Sequence, residues 1–189
     1  MSEEQQSAGS ALAYSDNISI AWRKVGHELD EVHLARVNAS NEEFLRAVTV
    51  MGDAPGQKES QDSTGQMAQE LAKVDLKLNL LLDLVASLIY HQMDIPATRP
   101  VRVSASGVAW NGDVPEPGSK VYLELYIQRG LPKPLCCYGE VVSTAEDFSA
   151  GNARVRFVGL TGAAQSWLEK LIFRHHRREV AFRRSKDDE

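Results

Sequence analysis

The hydrophobic pattern changes period three times along the chain. Between Asn17 and Lys24, Ile18, Ile20 and Trp22 alternate with Asn17, Ser19 and Ala21, which predicts a strand. From Gly26 to Val50 the composition is helical. Ser40 with Glu43 reads as a capping box, and Phe44, Leu45 and Val48 follow on one face. Asp53 to Gly65 lacks large apolar groups and carries Gly, Pro, Ser and Asp, which predicts a connector. Ser63 with Gln66 is a second capping box, opening a helix that runs to about Gln92, where Asp94-Ile95-Pro96 stops it. After Pro100 the period returns to two. Val101, Val103 and Ala105 alternate with Arg102, Ser104 and Ser106, and Val108-Ala109-Trp110 continues beyond Gly107. Val121 to Ile127, Leu135 to Val142 and Ala153 to Val158 supply further strands, as expected of a small barrel or sandwich. Thr161 is placed to cap a last helix with Trp167, Leu168, Leu171 and Ile172 inward.

The second helix carries the strongest pattern. Met67, Leu71, Val74, Leu78, Leu81, Val85 and Leu88 recur at spacings of four and three without an error. Leu71, Leu78 and Val85 take the a positions of a heptad; Met67, Val74, Leu81 and Leu88 take d. A core helix drifts at period 3.6, whereas a strict seven-residue repeat marks a seam between helices. The run is about 45 Å long at roughly 1.5 Å per residue, more than a small barrel covers. Its apolar face therefore calls for other copies of the chain. The flanking positions are polar at first (Asp75, Glu70, Lys77) and apolar later (Leu82, Leu84, Ile89). Apolar flanks and leucine at a widen the buried face beyond a dimer, so the expectation is a homotetramer, with a trimer second. Parallel helices bring the apolar flanks together, whereas antiparallel ones would set them against Asp75 and Lys77.

Composition narrows the function. The 189 residues, 43% apolar and 25% charged, suffice for a core without metals or disulfides. A net charge of −5 argues against nucleic-acid binding over the whole surface. Charge is uneven: residues 1–66 hold eleven acids against five Lys/Arg, and residues 170–189 hold seven Lys/Arg against four acids. The sole cysteines, Cys136 and Cys137, are adjacent, which predicts no structural disulfide and fits a reducing, cytoplasmic setting. No signal peptide or membrane span is expected, since Lys73, Asp75, Lys77 and Asp83 interrupt the most apolar run. His175 and His176 point apart on a helix and make no metal pair, and Gly159-Leu160-Thr161-Gly162 lacks a P-loop lysine. No catalytic residue is identified, and the protein is read as a non-enzyme.

Arg102-Val103-Ser104-Ala105-Ser106-Gly107-Val108 resembles the Asp/Asn-x-Ser-x-x-Gly strand motif of PilZ domains. Val155-Arg156-Phe157 resembles the family's last strand, and Trp167 to Arg178 its Ile-Phe and Arg-rich terminal helix. The resemblance implies a six-stranded antiparallel PilZ-like β-barrel with a C-terminal helix, and a role as receptor for the bacterial messenger cyclic di-GMP. It is to the divergent, oligomeric PilZ proteins that carry a long heptad helix. The Arg-x-x-x-Arg loop of the family's ligand site is missing, its place taken by the heptad helix and Asp94 to Thr98, and Arg102 replaces the Asp/Asn. Ser104 and Gly107 match. Each lost arginine removes charge-assisted bonds of roughly 1.5–3 kcal/mol. Cyclic di-GMP binding is therefore expected to be weak or absent, at a degenerate site of Arg99, Arg102, Ser104 and Gly107.

The expected organisation is a disordered N-terminus (1–15), a first barrel strand (16–25), a helical insertion (26–95) with the oligomerisation helix at about 63–92, a barrel with C-terminal helix (96–184), and a tail (185–189). The expected function is a non-enzymatic oligomeric regulator, in cyclic di-GMP-linked control of motility, pili or virulence through an unidentified protein partner. The alternatives are a genuine cyclic di-GMP receptor with a rearranged site, and a small RNA-binding barrel. No cofactor is expected.

Overall fold

The computed structural model describes residues 12–26, 30–52, 65–128 and 131–187. Six strands and four helices follow in the order β1 (Ala13–Lys24), α1 (Glu31–Gly52), α2 (Gly65–Gln92), β2 (Arg99–Ser104), β3 (Gly107–Asn111), β4 (Lys120–Tyr126), β5 (Leu135–Val141), α3 (Ala145–Ser149), β6 (Asn152–Val158) and α4 (Gly162–Asp187). The strands close into an antiparallel barrel in the order β1-β2-β3-β6-β5-β4, the fold that the period-two segments and the PilZ resemblance imply.

Closure depends on the length of β1. Its first half pairs with β2, Ala13 opposite Ser104 through Ile18 opposite Arg99. Its second half pairs with β4, with Ile20 opposite Leu125 and Trp22 opposite Leu123. The strand thus begins before residue 16, and Ala13 to Ser15 pair with β2 instead of belonging to a disordered N-terminus; residues 1–11 lie outside the described residues. A long strand can bend across two neighbours and abolish the open edges that a flat sheet would leave.

The barrel interior is filled by Val101, Val103, Val108, Val121, Leu123, Leu125, Leu135 and Val155, all nearly inaccessible to solvent. Leu168, Leu171 and Ile172 of α4 and Phe44, Leu45 and Val48 of α1 complete the same core. Alternation places one side chain of each pair inward, so Cys137 is buried while Cys136 is partly exposed.

Helix α1 runs unbroken from Glu31, so Ser40 and Glu43 are interior to the helix and form no N-terminal box. The chain enters α1 at Asp30, whose carboxylate accepts from the Val32 N–H at 3.3 Å. The helix extends upstream because its inner face is anchored by two asparagines. Asn41 Nδ2 donates to the Cys136 carbonyl at 2.6 Å and its Oδ1 accepts from the Cys136 N–H at 3.1 Å. Asn38 donates to the Gly159 carbonyl at 2.8 Å and accepts from the Thr161 N–H at 3.3 Å. Thr161 Oγ1 in turn accepts from the Ala164 N–H at 3.1 Å, which caps α4. At the far end, Arg174 of α4 donates to the Thr49 and Val48 carbonyls at 2.8 and 3.1 Å, occupying acceptors near the C-terminus of α1.

Helix α2 has no comparable anchoring. Met67, Leu71, Val74, Leu78, Leu81, Val85 and Leu88 are each 52–71% exposed in the single chain. Only Ala86 is buried among the described side chains of this helix. Leu76, Leu80 and Leu84 add a second exposed apolar column. Ser63, its expected cap, lies outside the described residues. No helix among the described residues is long and apolar enough to cross a membrane.

Candidate ligand site on the barrel wall

The β2–β3 hairpin explains much of the motif segment without any ligand. Ser104 donates its hydroxyl to the Gly107 carbonyl at 3.0 Å and lies 3.3 Å from the Ser106 hydroxyl, closing the turn. The Ser106 carbonyl accepts from the Phe157 N–H at 2.8 Å, so the turn is docked on β6. Gly107 sits opposite Arg156, and a Cβ at this position would collide with the Val155 carbonyl oxygen. Glycine is needed there by the close approach of β6. Both retained motif residues therefore have structural work in the hairpin.

Outward-facing side chains of β2, β3 and β6 line up in two rows. The first is Arg102, Ala109 and Arg154; the second is Ser104, Gly107 and Arg156. With adjacent strands about 4.8 Å apart, Arg102 and Arg154 stand about 10 Å apart across a floor carrying only a methyl group. An open trough of about 460 Å³ follows, lined by Arg102, Ser104, Ser106, Gly107, Arg154 and Arg156 among others. A shallower depression of about 360 Å³ continues past Arg102 and Arg154 toward Asn111, Asp147 and Asn152.

The three guanidiniums are not equivalent. Arg102 has no hydrogen-bond or ion-pair partner among the described residues. Arg156 Nη2 meets Glu140 Oε2 at 2.6 Å, an ion pair half open to solvent. Arg154 Nη1 is 3.7 Å from Asp147 Oδ2, a loose contact. Asp147 is fixed by the capping box of α3: its carboxylate accepts from the Thr144 N–H at 3.1 Å, and the Thr144 hydroxyl accepts from the Asp147 N–H at 3.0 Å. The bond from the Thr144 backbone holds the Asp147 carboxyl below its usual range.

The structure brings together Arg102, Ser104 and Gly107 and leaves Arg99 apart. Arg99 is three residues from Arg102 along β2 and has the parity of inward-facing Val101 and Val103. Its guanidinium lies over Gly112, where an added Cβ would be 3.0 Å from Nη1, at the other end of the strand. Arg154 and Arg156 were not among the expected site residues. Their signal was present in the alternation of Asn152 to Val158, which buries Ala153 and Val155 and exposes both arginines.

Other candidate chemistry is absorbed by the fold. His175 stacks on Tyr14 with ring centroids 4.3 Å apart, half-buried between α4 and β1. Burial lowers its pKa, Arg174 and Arg178 add to the effect, and Asp16 opposes it. Burial raises the pKa of both thiols, Cys137 the more strongly, the reverse of an activated nucleophile. No cluster of three metal-ligating side chains occurs among the described residues.

Residues 45–185 match the family described as atypical PilZ domain, cyclic di-GMP receptor. No curated protein matches the chain. Among solved structures, a pathogenic protein from Xanthomonas campestris is similar, with 22% identity and a TM-score of 0.67, over 91% of this chain and 92% of that one. It is described as a new tetrameric PilZ domain self-assembled via an unusual helical bundle. At that identity the likeness concerns the fold.

Proposed function

This chain belongs to the atypical PilZ domain family, and on that premise we propose that it is a non-enzymatic, self-assembling signalling protein of cyclic di-GMP-linked control. In this reading it acts on motility, pili or virulence through a protein partner. The observation that carries the proposal is α2. Seven heptad positions, each more than half exposed, stand on a helix that its own barrel leaves uncovered. Burying such side chains is worth roughly 1.5–3 kcal/mol each, so the seam supplies about 10 kcal/mol or more per chain before ordering costs. Leucine at a, and apolar Leu82, Leu84 and Ile89 on the flanks, favour four parallel helices, with three as the second choice. The Xanthomonas protein, described as a tetramer self-assembled via a helical bundle, supports the count of four.

Light scattering on the purified chain tests it. The parent is expected at a four-chain mass, and Leu78→Asp with Leu81→Asp at a single-chain mass, because buried unpaired carboxylates cost several kcal/mol each. A monomeric parent, or a double variant of unchanged mass, refutes the assembly reading.

A second reading, a receptor with a rearranged nucleotide site, is favoured by the trough that Arg102, Arg154 and Arg156 surround. Without the family's paired arginine loop, the expected dissociation constant for cyclic di-GMP is above roughly 10 μM. A submicromolar constant in isothermal titration at near-physiological salt would replace the first reading with this one.

A further inference from the structure

The cations of this trough come from a different strand than the PilZ resemblance implies, and two of them already face carboxylates. We infer that β6 supplies the anion clamp of a phosphodiester nucleotide site, with Arg154 and Arg156 opposing Arg102, and that Glu140 is an internal competitor holding the clamp partly occupied. The inference deepens the second reading, the rearranged nucleotide site, and rests on it.

The cross-strand register supplies the geometry. Arg154 and Arg156 are two residues apart on one face of β6, hence separated by about 6.5–7 Å. Arg102 stands two strands away on the same outer face. Between them Ala109 and Gly107 present almost no side chain, so a flat ring system can approach the sheet while its phosphates reach guanidiniums on either side. Ser104 cannot lead the recognition, because its proton is directed to the Gly107 carbonyl. The charge for capture must come from the arginines, whose planar forks suit phosphate oxygens.

Glu140 sets the strength of that capture. It lies opposite Arg156 in the β5–β6 register and its carboxylate is 2.6 Å from the guanidinium. A phosphate arriving at Arg156 must displace this carboxylate or share the guanidinium with it, and it meets the negative charge in either case. Asp147 does less to Arg154, because its contact is long and its carboxylate is engaged by the α3 capping box. Weak binding by the parent then has a local cause beyond the missing arginine loop: the strongest cation contact in the trough is already made within the barrel. An exposed ion pair of this kind is weak, so the competitor attenuates binding without abolishing it.

Isothermal titration of the full-length chain with cyclic di-GMP at low salt tests the assignment, with circular dichroism melts confirming that each variant is folded. Glu140→Gln is expected to tighten binding about two- to fivefold. Arg154→Ala and Arg156→Ala are expected to weaken it about tenfold or more. Arg99→Ala, at the far end of β2, should leave it unchanged. The inference is overturned if folded Glu140→Gln shows no tightening, or gives no heat at millimolar nucleotide. It is also overturned if Arg99→Ala weakens binding as much as Arg156→Ala. Light scattering on the same samples separates the two proposals: a retained four-chain mass without a ligand response removes the trough alone, and a monomeric parent with the full ligand response removes the assembly alone.

Discussion

Replacing Asn41 by alanine isolates the contribution of α1 to the barrel. Asn41 is 2% exposed, and its amide makes both bonds of a backbone neighbour, donating to the Cys136 carbonyl and accepting from the Cys136 N–H. Cys136 needs such a partner because the β5–β6 pairing begins only at Tyr138. Alanine removes both bonds and leaves a buried donor and a buried acceptor. At roughly 1–3 kcal/mol for each unsatisfied group, the expected loss is about 2–4 kcal/mol, allowing for partial rescue by water. For a chain of this size each kcal/mol lowers the melting temperature by about 2–4 °C, so the shift should be about 5–15 °C. Differential scanning calorimetry on the parent, Asn41→Ala and Glu43→Ala reads it. Glu43 is exposed on the opposite side of the helix and should change stability by under about 0.5 kcal/mol. If Asn41→Ala melts with the parent, α1 is not fastened to β5 by this amide and the helix is held by Phe44, Leu45 and Val48 with the Asn38 and Arg174 bonds.

Gly107→Ala should destabilise the barrel by about 1–3 kcal/mol in urea with no nucleotide present, because the added methyl meets the Val155 carbonyl; an unaffected midpoint would show that the glycine serves only a ligand. Burial lowers the folded pKa of His175, so below the ordinary imidazole value of about 6.5 the unfolded chain binds a proton before the folded chain does. Stability from this group is present above that value and lost as the pH falls through the window down to the folded pKa. The loss between pH 7.5 and 5.5 should therefore be smaller in His175→Phe than in the parent, and equal slopes for the two proteins would refute the assignment.

Local periodicity carried the barrel strands, because an inward-outward alternation is written within each strand and survives without knowledge of its neighbours. Helix α2 was legible for the same reason. Helix α1 was harder. Its helical composition was legible from Gly26 to Val50, but Asn38 and Asn41 interrupt its apolar face, so Ser40 with Glu43 mimics an N-terminal box inside the helix. Their partners, Gly159 and Cys136, lie about a hundred residues away and become visible only in the fold. The trough was legible to different degrees at its two ends. Arg154 and Arg156 join Arg102 only because β6 pairs with β3 out of sequence order, a register that no single strand encodes. Arg99, by contrast, could have been set aside from the sequence alone. It is an odd number of residues from Arg102, and in a strand of period two such residues face opposite ways.

The motif segment supports a ligand less than its match suggests, and the reason bears on how the two proposals relate. Ser104 closes the hairpin and Gly107 admits the β6 backbone, so both would be retained by a barrel that bound nothing. The discriminating positions are the outward arginines, because a guanidinium on a barrel wall contributes nothing to the core and only modestly to stability as an exposed ion pair. Only six residues separate Gln92 of α2 from Arg99 of β2. In the PilZ pattern the arginine loop precedes the motif strand, the position where this chain has the end of its heptad helix. If α2 forms the proposed seam, with apolar flanks at Leu82, Leu84 and Ile89, it cannot also fold back over the barrel to deliver two cations to the trough. If this chain binds a phosphodiester, the charge has to come from the wall itself, and on the β2–β3–β6 wall it comes from Arg102, Arg154 and Arg156. If both proposals hold, the segment before β2 serves assembly and the barrel wall serves capture, and each is refuted separately.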